Sequence, residues 1–239
     1  MRGCLPSLED PRPPDVADPG RTVHHGDALP WLRANAPLVG SSVITSLPDL
    51  SEVPALGMQG WRVWFEEAAA ATMTAVPAEG VAVFFQSDIK RDGVWVDKGA
   101  MVARAAERTG MALLFHKIVC RKPAGTVTYG RAGYSHLLGF ASTRRPSLRR
   151  ATADVLSDAG FMPATKAMGV TACAEACRYV LAETTTRTIV DPFCGWGTVL
   201  AVANAMALHA VGVDVSARMC KRARQLTISP QELAGARHG

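Results

Sequence analysis

The stretch Thr188-Ile-Val-Asp-Pro-Phe-Cys-Gly-Trp-Gly-Thr198 decides the fold. An apolar run ends in an acid, two glycines follow at 195 and 197, and an apolar helical segment continues from Thr198 to Leu208. This is the pattern of a strand, a tight turn and a helix. Glycine at such a turn lets the backbone pass close to a ligand with no Cβ in the way. A second apolar stretch, Ala210–Val215, contains Val211-Gly-Val-Asp214 and puts another acid at a strand end, 23 residues after Asp191. An acid at the end of the second strand of such a unit typically holds two ribose hydroxyls. The turn lacks the G-x-G-x-x-G spacing of dinucleotide folds, and it lacks the lysine that a P-loop turns on a triphosphate.

Outward from this unit the chain keeps alternating. Strands are expected at Arg21–His25, Ser42–Ser46, Val81–Gln86, Met111–Cys120 and Ser135–Ser142. Helices are expected at Asp27–Ala36, Trp61–Val76, Asp97–Thr109, Thr171–Glu183 and Ser216–Leu226, with Asp97 as an N-cap and Gly110 as a C-terminal stop. Such alternation implies an α/β fold, a mostly parallel sheet with helices on both faces. Residues 1–20 hold five prolines and little that could form a core, and read as a flexible tail. The domain is expected over 21–228, with a second flexible tail over 229–239. Residues 121–134, RKPAGTVTYGRAGY, break the alternation and read as an extended loop.

Composition removes several classes. The 239 residues are 48% hydrophobic and 20% charged, enough for one sizeable core. No apolar run reaches the roughly 18–20 residues of a membrane span, and no signal-peptide core opens the chain. Six cysteines, Cys4, Cys120, Cys173, Cys177, Cys194 and Cys220, form no C-x-x-C pair and have no histidines at ligand spacing. A disulfide framework and a metal site are therefore not expected, and the setting reads as a reducing cytoplasm. The net charge of +5 is local: from Arg108 to Ala153 nine basic residues stand without one acid, whereas the rest has 17 basic and 21 acidic residues. One face is thus expected to meet a polyanion, through Arg121, Lys122, Arg131, Arg144, Arg145, Arg149 and Arg150. The other reading of Ser142–Arg150 is a solvated connector.

DPFCGWGT resembles the D-P-F-x-G-S-G-T cofactor motif of S-adenosylmethionine-dependent amino-methyltransferases of nucleic acids, and VGVD resembles their second motif. The resemblance implies a Rossmann-like class I methyltransferase fold with S-adenosyl-L-methionine as cofactor. It assigns Asp191, Pro192, Phe193, Gly195 and Gly197 to the methionine part and Asp214 to the ribose. Trp196 stands where the family has serine. The cofactor motif lies late in the chain, as in the family's permuted members, which open with a Gly-Asp-x-Leu segment and a strand ending in T-S-P-P-Y. Here His25-Gly-Asp-Ala-Leu29 and Val43-Ile-Thr-Ser-Leu-Pro-Asp49 occupy those places. By the same resemblance Asp27 approaches the adenine and Lys166 the cofactor carboxylate. Asp27 also reads as a plain helix N-cap.

The catalytic segment is then Ser46, Leu47, Pro48 and Asp49. In the family, acceptors here hold an exocyclic amine and favour its lone pair for in-line attack on the sulfonium methyl, while an aromatic stacks on the flipped base. Leu47 replaces the first proline and Asp49 the aromatic, so Trp61, Trp64 or Tyr134 would have to supply a ring. Asp49 adds a carboxylate that could accept from the amine or take a proton. The functional expectation is methylation of a nucleic-acid base, at a nitrogen. It leans to structured RNA, because little chain is left for a separate DNA-recognition region. The alternatives are a small DNA adenine-N6 or cytosine-N4 methyltransferase and a catalytically inactive cofactor- or RNA-binding module. Oligomeric state is not legible.

Overall fold

The runs Ser41–Thr45, Ala82–Gln86 and Thr188–Asp191 are buried almost throughout, as strands covered on both faces must be. They form the middle of an eight-stranded sheet in a computed structural model that describes residues 19–146, 152–164 and 167–235. The strands are β1 (Arg21–His25), β2 (Ser41–Thr45), β3 (Ala82–Gln86), β6 (Ala112–Cys120), β7 (Tyr134–Ala141), β8 (Val155–Leu156), β9 (Thr188–Asp191) and β10 (His209–Asp214). Their order is β1-β10-β9-β2-β3-β7-β6-β8, and only β7 runs antiparallel to its neighbours. Between β3 and the next helix a two-stranded hairpin, β4 (Ile89–Arg91) and β5 (Val94–Val96), turns at Asp92-Gly93 with positive φ at both residues.

Alternate strand residues face two separate cores. Val43, Phe84 and Val190 meet α1 (Ala28–Asn35), α2 (Gly57–Ala75) and α3 (Lys98–Thr109) in one, around Trp61 and Phe65. Ile44, Val83 and Ile189 meet α4 (Val170–Glu183), α5 (Thr198–Ala205) and α6 (Ala217–Gln225) in the other. The small residues Ala172, Cys173, Ala176 and Cys177 of α4 are all fully buried. The mostly parallel sheet with helices on both faces is thus as expected.

One boundary is corrected. Residues 230–235 are not a tail but a short helix, α7 (Pro230–Gly235), whose Leu233 packs on the second core. Ser229 and Glu232 exchange side-chain-to-backbone hydrogen bonds at 2.7 and 3.2 Å, with Pro230 at the first helical position. This Ser-Pro-Gln-Glu capping box is a sequence signal that was open to reading. The expected N-terminal tail lies outside the described residues up to 18. Among the described residues no helix is long and apolar enough to cross a membrane.

Candidate active site

The sheet has a switch point between β9 and β2. From β9 the chain passes through α5 to β10 on one side, and from β2 through α2 to β3 on the other. The loops leaving the two carboxyl ends therefore diverge and open a crevice, the usual ligand place in an open α/β sheet. One hydrogen bond ties its two walls: Thr45 Oγ1 donates to Asp191 Oδ1 at 2.7 Å.

On the β9 wall Asp191 is almost fully buried and accepts a second hydrogen bond from the Phe193 N–H at 3.2 Å. Burial pushes its carboxyl up to about 7, with the Thr45 and Phe193 hydrogen bonds pulling the other way and the nearby Asp214 adding to the rise. Pro192 is buried behind it, and the Phe193 ring meets Trp64 edge-on at 6.0 Å between centroids. Gly195 and Gly197 have φ of 49° and 82°. Their demands differ. A Cβ on Gly197 would lie 2.6 Å from the Ala223 Cα of α6, so this glycine seats the loop on the helix; a Cβ on Gly195 would meet nothing within 4 Å. The backbone at Gly195 thus faces open space, a cradle a ligand could fill.

Asp214 ends β10 beside that space. Its Oδ2 accepts the Gly195 N–H at 3.0 Å and its Oδ1 the Ser216 N–H at 2.7 Å. Each oxygen keeps a further lone pair, which is what two ribose hydroxyls require. Thr198 Oγ1, buried at the start of α5, has no hydrogen-bond partner among the described residues. An unsatisfied hydroxyl, an open cradle and a half-used carboxylate fit the methionine and ribose parts of S-adenosylmethionine. Trp196 does not reach over the cradle: its ring is covered by the Arg222 guanidinium at 4.0 Å. Asp27 caps α1 through the Leu29 N–H at 2.9 Å and lies next to the Gly26 N–H, which bonds the Asp214 carbonyl at 3.0 Å. The N-cap reading of Asp27 is therefore realised, at the same sheet edge as Asp214. Lys166 lies outside the described residues.

The β2 wall leads into a cavity of about 70 Å³ lined by Ser46, Asp49, Gln86, Lys98, Arg121 and Met168 among others. Ser46 and Asp49 both line it. Two members of the expected catalytic segment also serve the fold. Leu47, 3% exposed, packs in the core around Trp61 and also lines the cavity. The Pro48 carbonyl already accepts the Trp61 indole N–H at 3.1 Å. Asp49 is buried and turned from the β9 wall: Arg131 Nη2 lies 3.1 Å from its Oδ2 and Lys98 Nζ 3.8 Å. Burial lowers the Lys98 ammonium below its ordinary value, and the Asp49 carboxylate offsets part of that. Asp49 is thus an ion-pair anchor, and among the described residues no member of the 191–198 loop lines its cavity. None of the three candidate rings stands free: Trp61 is buried, Trp64 is on Phe193, and Tyr134 is edge-on to His136 at 5.4 Å.

Next to this cavity lies a chain of polar groups that no sequence pattern announces. Asp88 accepts from the Lys98 N–H at 2.8 Å and pairs with His136 at 3.0 Å, and His136 meets His116 at 2.9 Å. Burial alone would raise Asp88, but the hydrogen bonds from His136 and Lys98 hold it below the usual carboxylate range. Burial, with His136 beside it, lowers His116. Asp97 brings a third ligand-type atom near Asp88 and His136, but Asp88 and His136 are already partnered and Asp97 accepts the Ala100 N–H, so the group reads as a structural network.

The basic set divides. Arg121 and Lys122 follow β6, and Arg131 precedes β7, all at the carboxyl edge; Arg121 donates to Ser87 Oγ at 3.2 Å. Arg144 and Arg145 follow β7. Because β7 is antiparallel, its eight residues carry them to the opposite edge of the sheet, about 25 Å away at roughly 3.3 Å per residue. There Arg144 donates to the Glu183 carbonyl at 2.8 Å. The grouping of all seven basic residues on one face is corrected accordingly. Arg149 and Arg150 lie outside the described residues.

Comparison with known proteins gives structural relatives only; neither a family model nor a curated protein sequence matches the chain. TTHA0409 of Thermus thermophilus, assigned as a DNA modification methylase and solved with S-adenosyl-L-methionine, superposes with a TM-score of 0.65 at 18% identity, over 90% of this chain and 97% of its own. The PvuII DNA methyltransferase, cytosine-N4-specific, gives 0.64 at 15% identity, over 92% and 93%. The complex of M1.HpyAVI with S-adenosylmethionine gives 0.57 at 14%, over 86% and 98%. The chain thus has the fold of these methyltransferases.

Proposed function

We propose that the protein is an S-adenosylmethionine-dependent methyltransferase acting on an amino group of a DNA base, adenine N6 or cytosine N4. The observation that carries this reading is the Thr45–Asp191 hydrogen bond at the switch point, which joins the end of β2, one residue before Ser46, to the start of the 191–198 loop. S-Adenosylmethionine, when bound, supplies an electrophilic methyl group on sulfur. The chain's own residues do the rest by position. The Gly195 backbone and Asp214 hold and orient the cofactor. Ser46, just past β2, offers its hydroxyl and the neighbouring carbonyls as acceptors for an exocyclic NH₂. Gain comes from orientation and from preorganised acceptors. With its cations attached, Asp49 organises the cavity wall.

The expectation of structured RNA rests on the little room the chain leaves for a recognition region. That ground falls away: the PvuII enzyme, named as a DNA methyltransferase, is covered over 93% of its length by this chain. The basic groups at the carboxyl edge, Arg121, Lys122 and Arg131, serve as phosphate contacts beside the cavity. The test is transfer of labelled methyl from S-adenosylmethionine to duplex DNA and to RNA, followed by nucleoside analysis. N6-methyladenine or N4-methylcytosine in DNA is expected. Label in RNA alone would overturn the DNA reading, and no label in either would leave a cofactor-binding module.

A further inference from the structure

One buried amide nitrogen at the cavity beside Ser46 has no hydrogen-bond partner among the described residues. Gln86 ends β3, is 1% exposed, and its Nε2 makes no hydrogen bond. Buried amides in native structures are nearly always bonded, so an orphan in a cavity wall points to a ligand. Val83, Phe84 and Phe85 fill the rest of the strand with apolar side chains, which would serve packing equally well at 86.

The register says where Gln86 lies. Thr45 pairs with Phe84; Ser46 follows Thr45 and Gln86 lies two residues past Phe84, both at the carboxyl edge of the sheet. Gln86 and Ser46 line the same cavity. We propose that Gln86 is the positioning residue for the methyl-accepting base, an assignment that rests on the amino-methyltransferase reading above. Adenine and cytosine share one edge: an exocyclic NH₂ next to a ring nitrogen with a free lone pair. A carboxamide is its complement. Oε1 accepts one amine hydrogen and Nε2 donates to the ring nitrogen, while Ser46 takes the second amine hydrogen. A neutral donor suits this place. A cation there would draw the amine lone pair into the ring, against attack on the methyl. Of the three cations that line the cavity, Lys98 and Arg131 are turned onto the Asp49 carboxylate and Arg121 donates to Ser87 Oγ.

The experiment is a cycle between Gln86→Leu and a base lacking the ring nitrogen, 1-deazaadenine or 3-deazacytosine, in a duplex oligonucleotide. Wild type is expected to lose about 10- to 100-fold in kcat/KM on the deaza base, the worth of one desolvated hydrogen bond. Gln86→Leu should lose as much on the natural base and little more on the deaza base. Calorimetric S-adenosylmethionine affinity, expected to be unchanged, reports that the variant is folded; Gln86→Met replaces it if the leucine variant does not bind. Losses that simply add would overturn the assignment. A wild type that binds the cofactor but methylates no oligonucleotide would overturn the functional reading itself, and the role of Gln86 with it.

Discussion

Asp191 is where the sequence motif and the energetics of the fold meet most sharply. Its carboxyl titrates near 7 because burial outweighs the hydrogen bonds from Thr45 and Phe193. The sign follows directly. The folded value lies above the unfolded one of 3.8, so the folded state holds an extra proton between the two. Stability from this group is full below about pH 4, falls as pH rises toward 7, and is flat beyond. Asp191→Asn keeps an acceptor for Thr45 and removes the titration. It should melt higher than wild type at about pH 8, and the gap should close on acidification, by scanning calorimetry. A sulfonium nearby adds the opposite pull, since it favours the ionised carboxylate. S-Adenosylmethionine affinity should rise with pH up to about 7, by at most about tenfold per unit, whereas the neutral thioether product should bind with a flat profile. Parallel profiles for the two ligands would show that Asp191 does not face the sulfur.

The loop from β9 to α5 separates two roles that one motif hides. Gly197 is pressed on Ala223 at a left-handed φ, so Gly197→Ala should cost about 1–3 kcal/mol of stability and show first as a lower Tm. Gly195 faces open space, so Gly195→Ala should cost only about 1–2 kcal/mol for its positive φ and show mainly as lost cofactor affinity. Equal Tm losses with equal affinities would remove the cradle. The β9–α5–β10 unit was legible because each of its parts has a local signal: an apolar run, a glycine turn, a closing acid. The hairpin at 89–96 had its signal too, Asp92-Gly93, but strands of three residues are shorter than the periodicity that reveals a strand. β8, two residues long, is held by pairing with β6 and left no mark in the sequence. α2 begins at Gly57, before the expected Trp61, with no side-chain cap to announce it. The orphan amide of Gln86 could not be read either, since a glutamine at a strand end looks like any polar terminus until its neighbours are known.

Strand direction is the property that alternation of apolar and polar residues cannot convey, and it sets the charge geometry of the molecule. A single antiparallel strand, β7, sends one part of an unbroken basic stretch to the site and another part to the far edge of the sheet. At the carboxyl edge the loop after β6 is docked on the hairpin, with the Lys90 N–H bonded to the Gly130 carbonyl at 3.0 Å, and it places Arg121 in the cavity lining with Lys122 next in the chain. At the other edge Arg144 closes on the end of α4. Phosphate contacts should follow this division. Each phosphate neutralised releases counterions and adds about 0.9 to the slope of log K against log salt on duplex DNA. Arg121→Ser with Lys122→Ser should therefore lower the slope by about 2, measured by anisotropy of a labelled duplex. Arg131 is left intact in this variant, because its removal would also free the buried Asp49 carboxylate. Arg144→Ser with Arg145→Ser should leave the slope as it is, since a duplex seated over the cavity lies at the opposite edge. The reverse result, a slope that falls with the Arg144 pair and holds with the Arg121 pair, would place the nucleic acid away from Ser46 and separate the basic surface from the methyl-transfer site.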